Sequence, residues 1–110
     1  MNILISMNLV LIYAGLADAN RLRIMNLLTG GALGVKHLQG ILGISQVRVS
    51  KHLGYLKKRG LVEADRSRNW MLYRLPANPS FELRAQVKAL VECAQAIPIL
   101  RSDLAARQSI

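Results

Sequence analysis

Apolar residues recur at helical spacing through most of this 110-residue chain, and most of the runs are closed by glycine or proline. Residues 3–16 are apolar apart from Ser6, Asn8 and Gly15. A helix apolar on nearly every side must be covered on every side. In a short chain the expected cover is a second subunit, so the pattern predicts a dimer-forming helix over residues 1–16. Asp18 is a good N-cap for the next helix, in which Leu22, Met25 and Leu28 repeat at three-residue spacing beside Ile24 until Gly30 and Gly31 stop it. A third helix from about Val35 places Leu38, Ile41 and Leu42 on one face and ends at Gly43. A fourth opens on Ser45 and closes at Gly60, with Val49, Leu53 and Leu56 at i, i+4, i+7 turned inward.

Helix, tight Gly-Ile turn and Ser-capped helix, over residues 35–60, is the layout of a helix-turn-helix. The period then changes. Leu61 to Arg66 and Trp70 to Leu75 are runs rich in β-formers separated by Ser67, Arg68 and Asn69, which predicts a β-hairpin over 61–75 with Arg66, Arg68 and Arg74 along or beside its tip. A helix-turn-helix followed by such a hairpin is a winged helix. A last helix is expected over residues 81–96, with Leu83, Val87, Leu90, Val91 and Ala94 along one side, bent or ended by Pro98. The expected fold is mainly α with a small β-hairpin, a single domain with helices at both termini forming a dimer interface.

Charge sharpens this picture. The net charge is +9, of which +6 lies within residues 48–74, so two thirds of the excess occupies a quarter of the chain. A cationic patch this focused suits a polyanion, with nucleic acid the first candidate and an anionic membrane surface the second. The 52% hydrophobic content supplies a core without disulfides and excludes intrinsic disorder. One cysteine, Cys93, excludes a disulfide framework and any multi-thiolate metal site on one chain, and fits a reducing, cytoplasmic compartment. The N-terminal apolar run lacks the leading Lys or Arg of a signal sequence and falls short of the roughly 20 residues of a spanning helix, so no membrane partner is expected.

The first turns of the fourth helix carry Gln46, Val47, Arg48, Ser50 and Lys51, at the end that approaches base edges in this motif. Gln pairs with adenine, Arg or Lys with guanine, Ser with either, and Val meets a thymine methyl. On a helical wheel Val47, Lys51, Tyr55 and Lys58 point away from the apolar face, and His52 falls at its margin as a packed or hydrogen-bonded histidine. Lys57, Lys58 and Arg59, further along, suit phosphates or solvation, as Arg66 and Arg68 do on the wing.

These residues carry a specific resemblance. Leu16-Ala17-Asp18-Ala19-Asn20-Arg21-Leu22-Arg23-Ile24, then Leu42-Gly43-Ile44-Ser45-Gln46 with Val49-Ser50-Lys51-His52-Leu53, Gly60-Leu61-Val62 and Trp70-Met71-Leu72-Tyr73-Arg74-Leu75 resemble the ArsR/SmtB family over about residues 14–76. The resemblance implies a homodimeric winged-helix repressor whose first and last helices pair and which binds an inverted-repeat operator in double-stranded DNA. Arg48 replaces a small residue common in the family, and Arg68 stands where a wing glycine is usual; both departures add positive charge.

The sensing sites depart further. The arsenic- and cadmium-sensing branch carries Cys-Val-Cys where this chain has Gly34, Val35 and Lys36, and the soft thiolates that capture soft metals are gone. His37 beside an ammonium makes no first shell. The zinc- and nickel-sensing branch places Asp and His on the last helix, which here has Glu82 and Glu92 but no histidine. No metal or other cofactor is expected. Cys93 remains as a candidate thiol sensor across a two-fold axis, against the ordinary reading of a buried small hydrophobe. No phosphate loop and no nucleophile, base and orienter set is present, so an enzyme is not expected. The rival to a DNA-binding regulator is a basic winged-helix module that binds a protein or a membrane surface.

Overall fold

The computed structural model describes residues 7–110; residues 1–6 of the expected N-terminal helix lie outside the described part. Among the described residues the elements run α1 (Met7–Leu16), α2 (Ala19–Leu28), β1 (Leu33–Gly34), α3 (Val35–Leu42), α4 (Gln46–Lys58), β2 (Glu63–Ser67), β3 (Trp70–Arg74), α5 (Phe81–Ala94) and α6 (Pro98–Arg107). The helix boundaries follow local chemistry. Asp18 Oδ1 accepts from the Arg21 N–H at 3.1 Å and Ser45 Oγ from the Arg48 N–H at 3.2 Å, each satisfying a donor that its helix leaves unpaired. Gly43 takes φ 70° and ends α3, a conformation that costs an L side chain about 1–2 kcal/mol.

Gly60, at φ 76°, ends α4 in the same way. The Gly60 N–H bonds Lys57 O and the Leu61 N–H bonds Leu56 O, the paired closure of a Schellman motif. This closure moves the wing. Leu61 and Val62 are 1% exposed and belong to the core, so strand pairing begins at Glu63 and not at Leu61 as the apolar run suggests. Ser67 pairs with Trp70, leaving a two-residue loop of Arg68 and Asn69 in place of the expected three. A third strand, β1, pairs antiparallel with β3 (Leu33 with Tyr73, Gly34 with Leu72) and gives the order β1-β3-β2. Two residues are too few for a period to reveal.

Ile12 of α1, Ile24 and Leu27 of α2, Leu38 of α3, Leu53 and Leu56 of α4 and Leu100 of α6 are buried together in one core. The C-terminal region differs most from expectation. The helix over 81–96 stops at Ala94, and Pro98 opens a further helix, for which proline at the first position is pre-organised because no N–H is needed there. Val91 turns outward at 43% exposure, while Leu83, Leu90 and Ala94 face the core. Helix α6 buries Leu100 in this core and is also fastened to α2 by polar contacts, which apolar spacing does not report. Arg23 meets Asp103 through two hydrogen bonds of 2.8 and 2.9 Å, Asn26 Nδ2 donates to Leu100 O at 3.0 Å, and Arg107 donates to Leu27 O at 2.8 Å.

Candidate nucleic-acid interface

Helix α4 is anchored by Val49, Leu53 and Leu56, all fully buried, as the wheel requires. That anchoring turns Gln46, Val47, Arg48, Ser50 and Lys51 to solvent, together with Lys57 and Lys58. Val47 is 64% exposed, an apolar side chain that nothing in its own fold covers. The N-terminal half of α4 thus offers a donor-acceptor amide, a hydroxyl, two cations and a methyl surface on one exposed stretch, the chemical set that distinguishes base pairs in the major groove.

The wing supplies a separate cationic surface. Its two acids are consumed internally, because Glu63 lies opposite Arg74 and Asp65 lies two residues along on the same strand face. Arg74 binds both, with Nε to Asp65 Oδ2 at 2.6 Å and Nη1 to Glu63. The arginine's hydrogen bond holds the Asp65 carboxyl below its usual range. Arg74 therefore sits at the base of the hairpin as an internal clamp, not beside the tip. Arg66 and Arg68 remain exposed, and among the described residues neither they nor Arg48, Lys51, Lys57 and Lys58 form an ion pair.

Arg68 has φ 57°, the one positive φ outside glycine among the described residues. In a two-residue hairpin loop a positive φ at the first central residue alone is the type II′ pattern, which normally calls for glycine there. The chain accepts local strain to hold a cation at the wing's tip.

Two side chains of α4 differ from a simple outward or inward reading. Tyr55 is half-buried, with the Arg21 and Arg59 guanidiniums stacked over its ring at 4.0 and 3.5 Å from the centroid. Arg21 also donates to Gly15 O and Ala14 O, so this stack ties the recognition helix to the α1–α2 corner. His52 lies at the margin of the core, 4.0 Å from the Asp18 carboxylate. Burial pushes its pKa down, the Asp18 charge pushes it up, and Arg21 and Arg48 add to the lowering.

Among the described residues no group of three or more His, Cys, Asp or Glu side chains is placed to hold a metal, and no helix is long and apolar enough to cross a membrane. Cys93 is exposed on α5 in the single chain, contrary to a buried hydrophobe, because Leu90 and Ala94 occupy the inward face. Spacing and charge gave Lys36, Asn69 and Trp70 no binding role, naming them only at a replaced sensing position, in the wing's turn and at the start of a β-forming run. With Val35, Gln46 and Met71 they line a groove of about 440 Å³ between the start of α3, the start of α4 and the wing. The single tryptophan is 58% exposed there. The signal that points to it is register: pairing with Ser67 puts Trp70 beside the wing's turn.

Known proteins share this arrangement. Residues 18–64 match the profile of the bacterial regulatory protein arsR family. The chain is 30% identical over 83 residues to the transcriptional activator HlyU of Vibrio cholerae serotype O1, a match spanning 76% of this chain and 70% of HlyU. The solved structure of HlyU from Vibrio cholerae N16961 superposes with a TM-score of 0.72 at 30% identity, covering 80% of this chain and 92% of that one. The transcriptional repressor BigR from Xylella fastidiosa gives 0.66 at 28% identity, over 77% and 84% of the two chains. The homodimeric winged helix-turn-helix DNA-binding domain of Mb0332 from Mycobacterium bovis gives 0.62 at 29% identity, over 81% and 76%. In sequence and in winged helix-turn-helix architecture alike, this chain belongs to the ArsR family of bacterial regulatory proteins.

Proposed function

We propose that this protein is a homodimeric, cytoplasmic repressor of transcription that reads an inverted-repeat operator with one α4 per half-site. The observation that carries this reading is the division of labour on α4 and the wing: every acid of the segment 48–74 is paired inside the hairpin, and six cations are left facing solvent. Gln46, Val47, Arg48, Ser50 and Lys51 take the base edges in the major groove, and Lys58, Arg66 and Arg68 take phosphates, positioning without specifying.

Dimerisation is supported by α1 and α5. The two helices pack on each other, tied by Asn8 Nδ2 donating to Ser80 Oγ at 2.9 Å and Glu82 Oε2 at 3.0 Å. Both leave apolar side chains in water: Val10 and Tyr13 on α1, Phe81 and Val91 on α5. A two-fold axis through this face would cover them and space two recognition helices about one DNA turn, roughly 34 Å, apart. HlyU is described as an activator and BigR as a repressor. Repression is the reading for this chain because occupying an operator needs only the DNA face and the dimer contact. Cys93, exposed on α5 in the single chain, is the residue we assign to a response to oxidants in that dimer.

The test is fluorescence anisotropy with the gene's own upstream duplex and a scrambled duplex of equal length, each across a salt series. Preference for the native duplex by about 10³-fold or more supports a specific regulator. Equal affinities with a steep salt slope refute it and leave an electrostatic surface only.

A further inference from the structure

Trp70 is a large apolar side chain at the wing's tip, 58% exposed where Arg66, Ser67, Arg68 and Asn69 also face solvent. Folding usually covers most of a tryptophan, and here it leaves more than half of the residue in water. Two grooves meet at it. One is the groove of about 440 Å³ that it shares with Lys36, Gln46 and Asn69. The other holds about 260 Å³ and is lined by Gly34, Lys36, His37, Trp70 and Leu72. The larger one brings Gln46, at the start of the recognition helix, and Asn69, in the wing's turn, to a single cleft. Among the described residues no carboxylate lines either groove.

We propose that one sugar-phosphate strand of the bound duplex runs through the larger groove, with a deoxyribose against the Trp70 indole and a phosphate on Lys36 and Asn69. This inference rests on the proposed DNA-binding function and adds three residues to it. A helix seated in the major groove, about 12 Å wide, has a backbone strand along each border. With α4 seated there, the wing beside it crosses one border, and the cleft between α4 and the wing is the path left for that strand. The lining fits the occupant. Lys36 meets the charge, the Asn69 amide donates to a phosphate oxygen, and the indole packs on the uncharged carbons of the sugar. Trp70 therefore adds affinity by removing apolar surface from water and not by neutralising charge, and its contact is blind to sequence because every nucleotide carries the same sugar. Lys36, Arg66 and Arg68 around the cleft form no ion pair among the described residues, which favours a polyanion over a protein surface.

Trp70 is the sole tryptophan, so its emission reports the cleft directly. The wild-type protein is titrated with the native and the scrambled duplex while acrylamide, an uncharged quencher, measures access to the indole. Both duplexes should protect Trp70 from acrylamide, saturating where anisotropy saturates. Trp70→Ala should weaken both alike by about tenfold per protomer, the worth of roughly 60 Å² of apolar surface, with the salt slope unchanged. Trp70→Phe, which keeps an aromatic face, should recover most of that loss. Lys36→Gln should weaken both duplexes and flatten the slope by about 0.9 per protomer. The quenching arm uses the wild-type chain and carries the test if Trp70→Ala folds poorly. A bound duplex that leaves Trp70 open to acrylamide, or wild-type affinity in a folded Trp70→Ala, overturns the contact and leaves a protein partner as the occupant. Weakening confined to the native duplex overturns the sugar assignment in favour of base contact. Protection of Trp70 with equal affinity for the two duplexes overturns the specific regulator and leaves the contact standing, and binding of neither duplex overturns both.

Discussion

Replacing Arg68 by glycine separates two consequences that the wing's turn holds in one residue. At φ 57° the arginine sits where an L side chain costs about 1–2 kcal/mol. Glycine removes that cost but gains freedom in the unfolded chain worth about 0.5–1 kcal/mol, so the net stabilisation is about 0.5–1 kcal/mol. At roughly 4 °C per kcal/mol for a domain near this size, Tm should rise by about 2–4 °C. The same change removes the cation at the wing's tip. If each wing of the dimer holds one phosphate, the slope of log K against log salt should flatten by about 0.9 per wing, or about 1.8 for the dimer, equally for native and scrambled duplexes. Arg68→Ala is the control, since it loses the charge and keeps the strain: its slope should match that of Arg68→Gly while its Tm does not rise. Melts by circular dichroism at fixed protein concentration and anisotropy across salt measure the two quantities. A Tm for Arg68→Gly no higher than for Arg68→Ala refutes the strained turn. A wild-type salt slope in both variants refutes the wing's contact with phosphate.

On the recognition helix, Gln46→Ala and Lys51→Ala should each cost about 1–3 kcal/mol on the native duplex and narrow its preference over the scrambled one; wild-type affinity in Lys51→Ala would mean that α4 is oriented differently on DNA. Asp103→Ala strands the Arg23 guanidinium, and because Arg23 keeps 19% of its side chain exposed the loss should be about 2–3 kcal/mol, below the 3–5 of a fully buried pair. The double variant Arg23→Met with Asp103→Leu should recover most of that loss in urea denaturation, and a double variant as unstable as the single one would show that packing and not charge is at stake. For His52, burial lowers the pKa beneath its ordinary 6.5, so the fold favours the neutral ring. Its contribution is complete above pH 6.5 and is lost as pH falls through the depressed value; His52→Gln should flatten Tm against pH in that window, and an unchanged acid-side decline would assign it to other groups.

Local chemistry in the chain determined most of the DNA-facing unit. Asp18 and Ser45 cap helices because their oxygens reach N–H groups three residues on, Gly43 and Gly60 end helices because they accept positive φ, and Val49, Leu53 and Leu56 fix which side of α4 is exposed. Such signals act over a few residues, so the row of letters contains them. The same range explains what it leaves undecided. Tyr55 looks outward on a wheel, yet it is covered by Arg21 from a different helix, and Arg74 reads as a wing cation until strand register sets it against Glu63 and Asp65.

Only the tertiary structure could place α6, since its hold on α2 includes an ion pair and a side-chain hydrogen bond to a backbone carbonyl between residues some 80 positions apart, and these leave no period in the sequence. It alone brought the two-residue strand β1 beside β3 and so opened the grooves around Trp70. Spacing encodes which face of an element is apolar. Which elements then meet, and which charges cancel where they meet, is settled by packing the whole chain at once.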